Sequence, residues 1–210
     1  MPSMLNTLNR RKFISLLTGA LASSFVTACA QSRKPRILLC SSWQTVNIGD
    51  IAHTPGFLTL MERYLPEVEI TLWPPDIGQG VEQKLVDRFP DLKIVSTESE
   101  RLAAFKECDF FVHGSSASVS AMSQITQWVS ETSKGFGIYG ITFDDHQSWK
   151  LLPDTPEQLA AKVAVLNQAA FVFFRDSESM GLAKQLGCKT EVTGFAPDAA
   201  FACDVRDDAV

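Results

Sequence analysis

Short, almost wholly apolar runs, set at intervals between helical stretches, constrain this chain more than any other feature. Ile37-Leu38-Leu39-Cys40, Phe110-Phe111-Val112 and Phe171-Val172-Phe173-Phe174 are too short for buried helices and show no polar alternation. Such a strand is covered on both faces, as in the interior of a parallel α/β sheet. Further strands are expected over 68–73, 92–95, 137–142 and 189–193. Helices are expected over 51–64, 81–89, 99–107, 118–130, 156–169 and 177–186. Thr97 with Glu100 has the form of a capping box, Pro66 stops the first helix, and Pro156 suits a first helical turn. Strands alternating with helices at this spacing specify an α/β domain over 37–203, a doubly wound, mostly parallel, Rossmann-like sheet.

In an open sheet of that kind, ligands collect just outside the carboxyl ends of the strands. Four segments fall there. Asn47-Ile48-Gly49-Asp50 follows the first strand: Gly49 permits a tight turn, and Asp50 either caps the helix or meets a ligand near its N-terminus. His113-Gly114-Ser115-Ser116 follows the fourth strand. It reads either as a plain turn with serine capping or as a backbone cradle with hydroxyls for phosphate or sugar, and His113 is a candidate acid or base. Asp144-Asp145-His146, with Trp149, lies on a polar loop that is either solvated or orients an acceptor. Trp43 and Trp149, if open to solvent, suit stacking on sugar rings. Arg175-Asp176 ends the strand at Phe174, with Ser177 to Ser179 starting the next helix. Arg175 is placed to hold a carboxylate or phosphate with its planar fork. Asp176 either fixes the Arg175 rotamer or caps the helix. Asp198 follows the last strand.

These residues also resemble motifs of the polysaccharide pyruvyl transferases. Arg175-Asp176-Ser177-Glu178-Ser179 is similar to the family's Arg-Asp-x-x-Ser, Asp198-Ala199-Ala200-Phe201 to its Asp-Pro-Ala-Phe, and Asn47-Ile48-Gly49-Asp50 to its Asn-x-Gly-Asp. The matches keep the family's order across residues 37–201. His113-Gly114-Ser115-Ser116 stands where the family often has a glycine triplet, Gly140-Ile141-Thr142-Phe143 where it has Ser-x-Gly-Pro, and Ala199 where it has proline. The resemblance implies transfer of a pyruvyl group from phosphoenolpyruvate to a sugar hydroxyl pair of a cell-surface polysaccharide, with no further cofactor. It implies catalytic roles for Asp50, His113 and Arg175. It implies substrate contacts from Asn47, Gly49, Gly114, Ser115, Ser116, Arg175, Asp176, Ser179 and Asp198. It also implies the first domain of a two-domain, glycosyltransferase-B-like architecture with the active site between the halves. The chain stops at Val210, so this reading expects the second domain to be missing and the chain alone to be inactive or nearly so.

Residues 1–30 read as an export signal, followed by a short linker at 31–36. Asn9-Arg10-Arg11-Lys12-Phe13 resembles a twin-arginine motif, and the apolar run at 14–28 is short for a membrane span. Val26-Thr27-Ala28-Cys29 resembles a lipobox, which would anchor the protein to a membrane through lipidated Cys29. Ala28-Cys29-Ala30 also reads as a cleavage site for a soluble exported form. Export sits awkwardly with a cytoplasmic donor. It favours a second reading, an exported glycan-binding or remodelling protein that retains the transferase fold. A third reading is a two-domain transferase using a nucleotide-sugar donor.

Residues 29–210 hold 16 basic and 24 acidic groups, a net charge of −8. No basic face is available for nucleic acid. His53, His113 and His146 are far apart in sequence, and no cysteine pair has metal-ligand spacing, which argues against zinc. Cys188 and Cys203 are the pair best placed by proximity to bridge in an oxidising compartment. The sequence contains no Gly-x-Gly-x-x-Gly after the first strand, no P-loop and no Gly-x-Ser-x-Gly elbow, which disfavours nicotinamide, nucleotide hydrolysis and α/β-hydrolase chemistry.

Overall fold

The computed structural model describes residues 33–145 and 153–205. The expected export segment with Cys29, and His146 and Trp149 of the polar loop, lie outside the described residues. The strands are β1 (Arg36–Cys40), β2 (Glu69–Trp73), β3 (Lys93–Ile94), β4 (Phe110–His113), β5 (Phe136–Ile141), β6 (Val172–Phe174) and β7 (Thr193–Phe195). They form one parallel sheet of order β3-β2-β1-β4-β5-β6-β7. The helices are α1 (Ile48–Tyr64), α2 (Val81–Arg88), α3 (Glu98–Glu107), α4 (Met122–Thr132), α5 (Pro156–Leu166) and α6 (Ser177–Gln185), with a 3-10 turn at Ala199–Ala202. The architecture is the doubly wound Rossmann-like sheet that the apolar runs specify.

Alternate residues of each central strand enter opposite layers, following the period of two along a strand. Leu38 and Cys40 join Phe111, Trp128, Ile138, Leu166 and Phe174 in one layer. Ile37 and Leu39 join Phe57, Met61, Leu85, Phe110, Tyr139, Phe171 and Phe173 in the other. The first layer is closed by α3 to α6 and the second by α1 and α2. Burying one such phenylalanine contributes about 1.5–3 kcal/mol. The apolar runs therefore hold the sheet whatever the loops do.

Of the boundaries that differ from expectation, three have clear local reasons. α1 begins at Ile48, because the Asn47 side chain accepts the Gly49 N–H at 2.8 Å and caps the helix. Asp50 is therefore inside the first turn and is not the cap. α4 begins only at Met122, because residues 114–120 are taken up by the turn below. The last strand is Thr193–Phe195, beyond the expected 189–193, since Val172 to Phe174 pair with Thr193 to Phe195. The capping boxes at Thr97/Glu100 and Thr155/Gln158 are both formed. Cys188 and Cys203, the better-placed candidates for a bridge, are free thiols. No described helix is long and apolar enough to cross a membrane.

Candidate functional site

The strand order reverses between β1 and β4, and a crevice forms outside the carboxyl ends of strands at such a switch point. A cleft of about 620 Å³ lies there, lined by residues that include Trp43, Asn47, Gly49, Asp50, His53, Ser116, Arg175, Asp198 and Phe201. A second hollow of about 680 Å³ lies at the opposite ends of β1 to β3, among Leu58, Met61, Leu65 and Lys93. The first cleft gathers the polar groups described next, and it is the candidate site.

Two backbone features shape the cleft. Gly140 has φ +68 and marks the register break between β5 and β6; a side chain there would lie 2.5 Å from Ser115 Oγ, so only glycine fits. α1 and the 3-10 turn approach each other at Gly56, where a Cβ would lie 1.9 Å from Ala199 O. That contact presses the turn carrying Asp198 against α1, which carries Asp50 and His53. The turn is tied from its other side by Tyr139, whose hydroxyl donates to Pro197 O at 3.1 Å.

Arg175 stands at the end of β6 with its side chain 28% exposed. Its Nε donates to Thr142 Oγ1 at 2.5 Å and its Nη1 to Asp198 Oδ2 at 2.7 Å. No described residue bonds to Nη2, so one edge of the fork is left for a ligand. Asp198 is fully engaged: Oδ2 also meets His53 Nε2 at 3.2 Å, and Oδ1 accepts the Ala200 N–H at 2.9 Å. Burial pushes this carboxyl up, but the bonds from His53, Ala200 and Arg175 outweigh it and hold it down at about 2. Asp198 is therefore an ionised bracket that orients Arg175 and His53. Asp50 takes a bond from Gln44 Nε2, and its Oδ1 lies 3.7 Å from His53 Nδ1.

Among the expected site residues, Asn47, Gly49, Asp50, Ser116, Arg175 and Asp198 do meet at this cleft. Others fall beneath it. His113 is wholly buried: Nε2 accepts the Ser120 N–H at 2.9 Å, and Nδ1 donates to Gly114 O at 2.6 Å. Burial pushes its ring down to about 4. With both nitrogens engaged and the Trp43 ring tilted against it, centroids 4.8 Å apart, His113 is a neutral structural histidine and not an acid or base. Gly114 is packed against Ser41, where a Cβ would lie 2.9 Å from the Ser41 side chain. Ser115 is sealed, its Oγ accepting the Ala199 N–H at 3.0 Å. Ser179 is buried between the Phe143 N–H and Asp176. Asp176 accepts the Ser179 N–H at 2.6 Å and caps α6. It does not fix Arg175, whose rotamer is set by Thr142 and Asp198.

Sequence reasoning missed His53 and Thr142. His53 falls three residues after Asp50, a spacing that places both on one face of a helix, and this signal was available. Thr142 lay in the segment set against the family's Ser-x-Gly-Pro, but its role gave no signal, because the partner of Nε depends on how β5 and β6 are registered. Among the described residues no group of three or more His, Cys, Asp or Glu is placed to hold a metal ion.

A sequence model of the family described as polysaccharide pyruvyl transferase matches residues 47–209. No curated protein matches the chain. Among solved structures, an S. aureus MnaA–UDP co-structure is similar over 84% of this chain and 48% of that chain, with 12% identity and a TM-score of 0.54. An E. coli heptosyltransferase WaaC with ADP is similar over 78% of this chain and 74% of that one, with 10% identity and a TM-score of 0.33. The first likeness shows a shared fold. The chain spans about half the length of the first solved structures it matches.

Proposed function

Because the chain belongs to the polysaccharide pyruvyl transferase family, whose members modify polysaccharide sugars, we propose that its cleft holds the anionic donor phosphoenolpyruvate. In this reading the whole protein moves the pyruvyl group to two hydroxyls of an acceptor sugar. The bond from the enol carbon to the phosphate oxygen breaks and two bonds to sugar oxygens form. The methylene carbon takes one proton and the second hydroxyl proton leaves with phosphate. Such a reaction needs cations for the donor, an acid for the methylene carbon and a base for a hydroxyl.

The observation that carries the reading is the open edge of Arg175. Its guanidinium is held by two bonds in a cleft at the sheet's switch point and keeps N–H groups for a carboxylate or phosphate. The N-terminus of α1 borders the same cleft and adds a weak attraction for an anion. Asp50, in that first turn, is the carboxylate available as base for a hydroxyl. Trp43 and the 88% exposed Phe201 flank the opening and offer faces for a sugar ring. Export by residues 1–30 remains part of the proposal, and cell fractionation of the wild type against Cys29→Ser tests it.

Calorimetric titration with phosphoenolpyruvate tests the donor reading. Arg175→Ala should weaken binding by roughly 10–100-fold, the value of a charge-assisted bond. Arg175→Lys should also lose affinity, because an ammonium cannot reproduce the fork. Equal affinity in wild type and Arg175→Ala refutes it. Saturable binding of a polysaccharide sugar, unaffected by phosphoenolpyruvate, would replace it with the glycan-binding reading.

A further inference from the structure

We infer that His53 is a positioning residue that stores a proton behind Asp50, in a carboxylate–imidazole–carboxylate row, Asp198–His53–Asp50, along the wall of the cleft. The inference deepens the proposed transfer and rests on it for the source of the proton. The row itself rests on geometry.

His53 borders the cleft but is only 4% exposed, so Asp50 offers a substrate more surface than the ring does. Nε2 meets Asp198 Oδ2 at 3.2 Å. Asp198 accepts from Arg175 through the same oxygen and from the Ala200 N–H through the other. A carboxylate so placed is ionised and can only accept. The hydrogen of the contact therefore belongs to His53 Nε2, which leaves Nδ1 as the atom that gains or loses a proton. Nδ1 is buried and has no hydrogen-bond partner among the described residues. It faces Asp50 Oδ1 at 3.7 Å.

A bare nitrogen lone pair held against a carboxylate oxygen is an unfavourable arrangement, and buried polar atoms are rarely left so. Catalytic contacts are often long before substrate binds and shorten afterwards. A proton between Nδ1 and Oδ1 removes the conflict. The charged groups against the ring are Asp50 on its own helix and Asp198 on the turn; Arg175 and Tyr139 couple to Asp198, the first by a bond and the second by charge. Asp50 lines the cleft and is itself fixed by Gln44. The proton moves inward along the row and later leaves by the same path. A sugar hydroxyl gives its proton to Asp50 Oδ1 as its oxygen bonds to the enol carbon. The carbon–carbon double bond opens meanwhile, and its electron pair takes a proton at the methylene carbon from an acid outside the row, which the other hydroxyl's proton later restores. Asp50 passes the proton to His53 Nδ1, which makes an imidazolium between two carboxylates. The proton returns through Asp50 when phosphate departs.

Ring-nitrogen NMR of the full chain tests the row, with His53 assigned by the signal missing in His53→Gln. At alkaline pH the wild type should show hydrogen on Nε2 and a bare Nδ1. In Asp50→Asn the new amide can donate to Nδ1, and the Nδ1 resonance should move upfield as it accepts that bond. A neutral ring with its hydrogen on Nδ1 overturns the inference, and so does an Nδ1 signal indifferent to Asp50→Asn. The tautomer is read on the unaltered chain, so a poorly folded variant does not rescue the idea. Failure of phosphoenolpyruvate to bind would sink the donor reading while leaving the tautomer as expected. A bare Nε2 would sink the row even if the donor binds.

Discussion

Gly56→Ala sets two effects of opposite sign against each other. Glycine inside a helix costs roughly 0.5–1 kcal/mol relative to alanine, so on propensity alone the change stabilises α1. The new Cβ would lie 1.9 Å from Ala199 O and 2.6 Å from Ala199 C, where real contacts are essentially never below 3.0 Å. The obstacle is backbone, so the turn must retreat by about 1 Å. Overpacking of this kind costs roughly 1–3 kcal/mol. The net expectation is a loss of about 1–2 kcal/mol, and a domain of this size loses roughly 2–4 °C in Tm for each. Retreat of the turn also carries Asp198 away from its 2.7 Å bond to Arg175 and its 3.2 Å contact with His53. Donor affinity should therefore fall with stability. Urea and thermal denaturation, with phosphoenolpyruvate titration of the same samples, measure both. Gly181→Ala is the internal control: it lies within α6, where an added Cβ meets nothing within 4 Å. It should gain stability. If Gly56→Ala gains stability as Gly181→Ala does, the close approach is not what requires glycine.

Two further outcomes follow from the buried groups. The native His113 ring resists a proton until about pH 4, whereas an unfolded one takes it near 6.5. The proton thus favours unfolding, and stability should drain away between those values as pH falls, by up to about 3 kcal/mol. Asp198 acts in a separate window. Its stabilisation is complete above 3.8 and is lost as pH falls toward about 2. Denaturation midpoints followed from pH 7 to 4 should lose their slope in His113→Gln; an unchanged slope contradicts the assignment. Asp176→Ala should cost about 1 kcal/mol through loss of the α6 cap, yet leave donor affinity within about threefold, because Arg175 is held by Thr142 and Asp198. A large loss of affinity at constant stability would return Asp176 to the binding site.

The sheet was legible because its central strands are buried on both faces, so that apolar runs such as Phe171 to Phe174 mark them without ambiguity. The rim was legible as a set of positions and less so as a set of roles. Arg175, Asp50 and Asp198 end up together because strand ends in such a sheet share one edge. Whether a rim residue faces the cleft or the core is decided by contacts far away in sequence. Ser115 is sealed by Ala199 and His113 by Ser120 and Trp43. Asp176 could cap or brace in any sequence reading, and the close Ser179 N–H settled it. The 189–193 strand was displaced because the partner of a short edge strand is chosen by β6 and not by its own residues.

One oxygen atom, Asp198 Oδ2, serves both Arg175 and His53. An anion that draws the guanidinium toward itself relaxes half of that oxygen's commitments, and the imidazole inherits what is released. Guest occupancy and the whereabouts of a hydrogen ion are then reciprocal quantities, each biasing the other by one common factor. The signature is thermochemical: the heat of anion uptake should depend on the ionisation enthalpy of the buffer, and that dependence should vanish in His53→Gln.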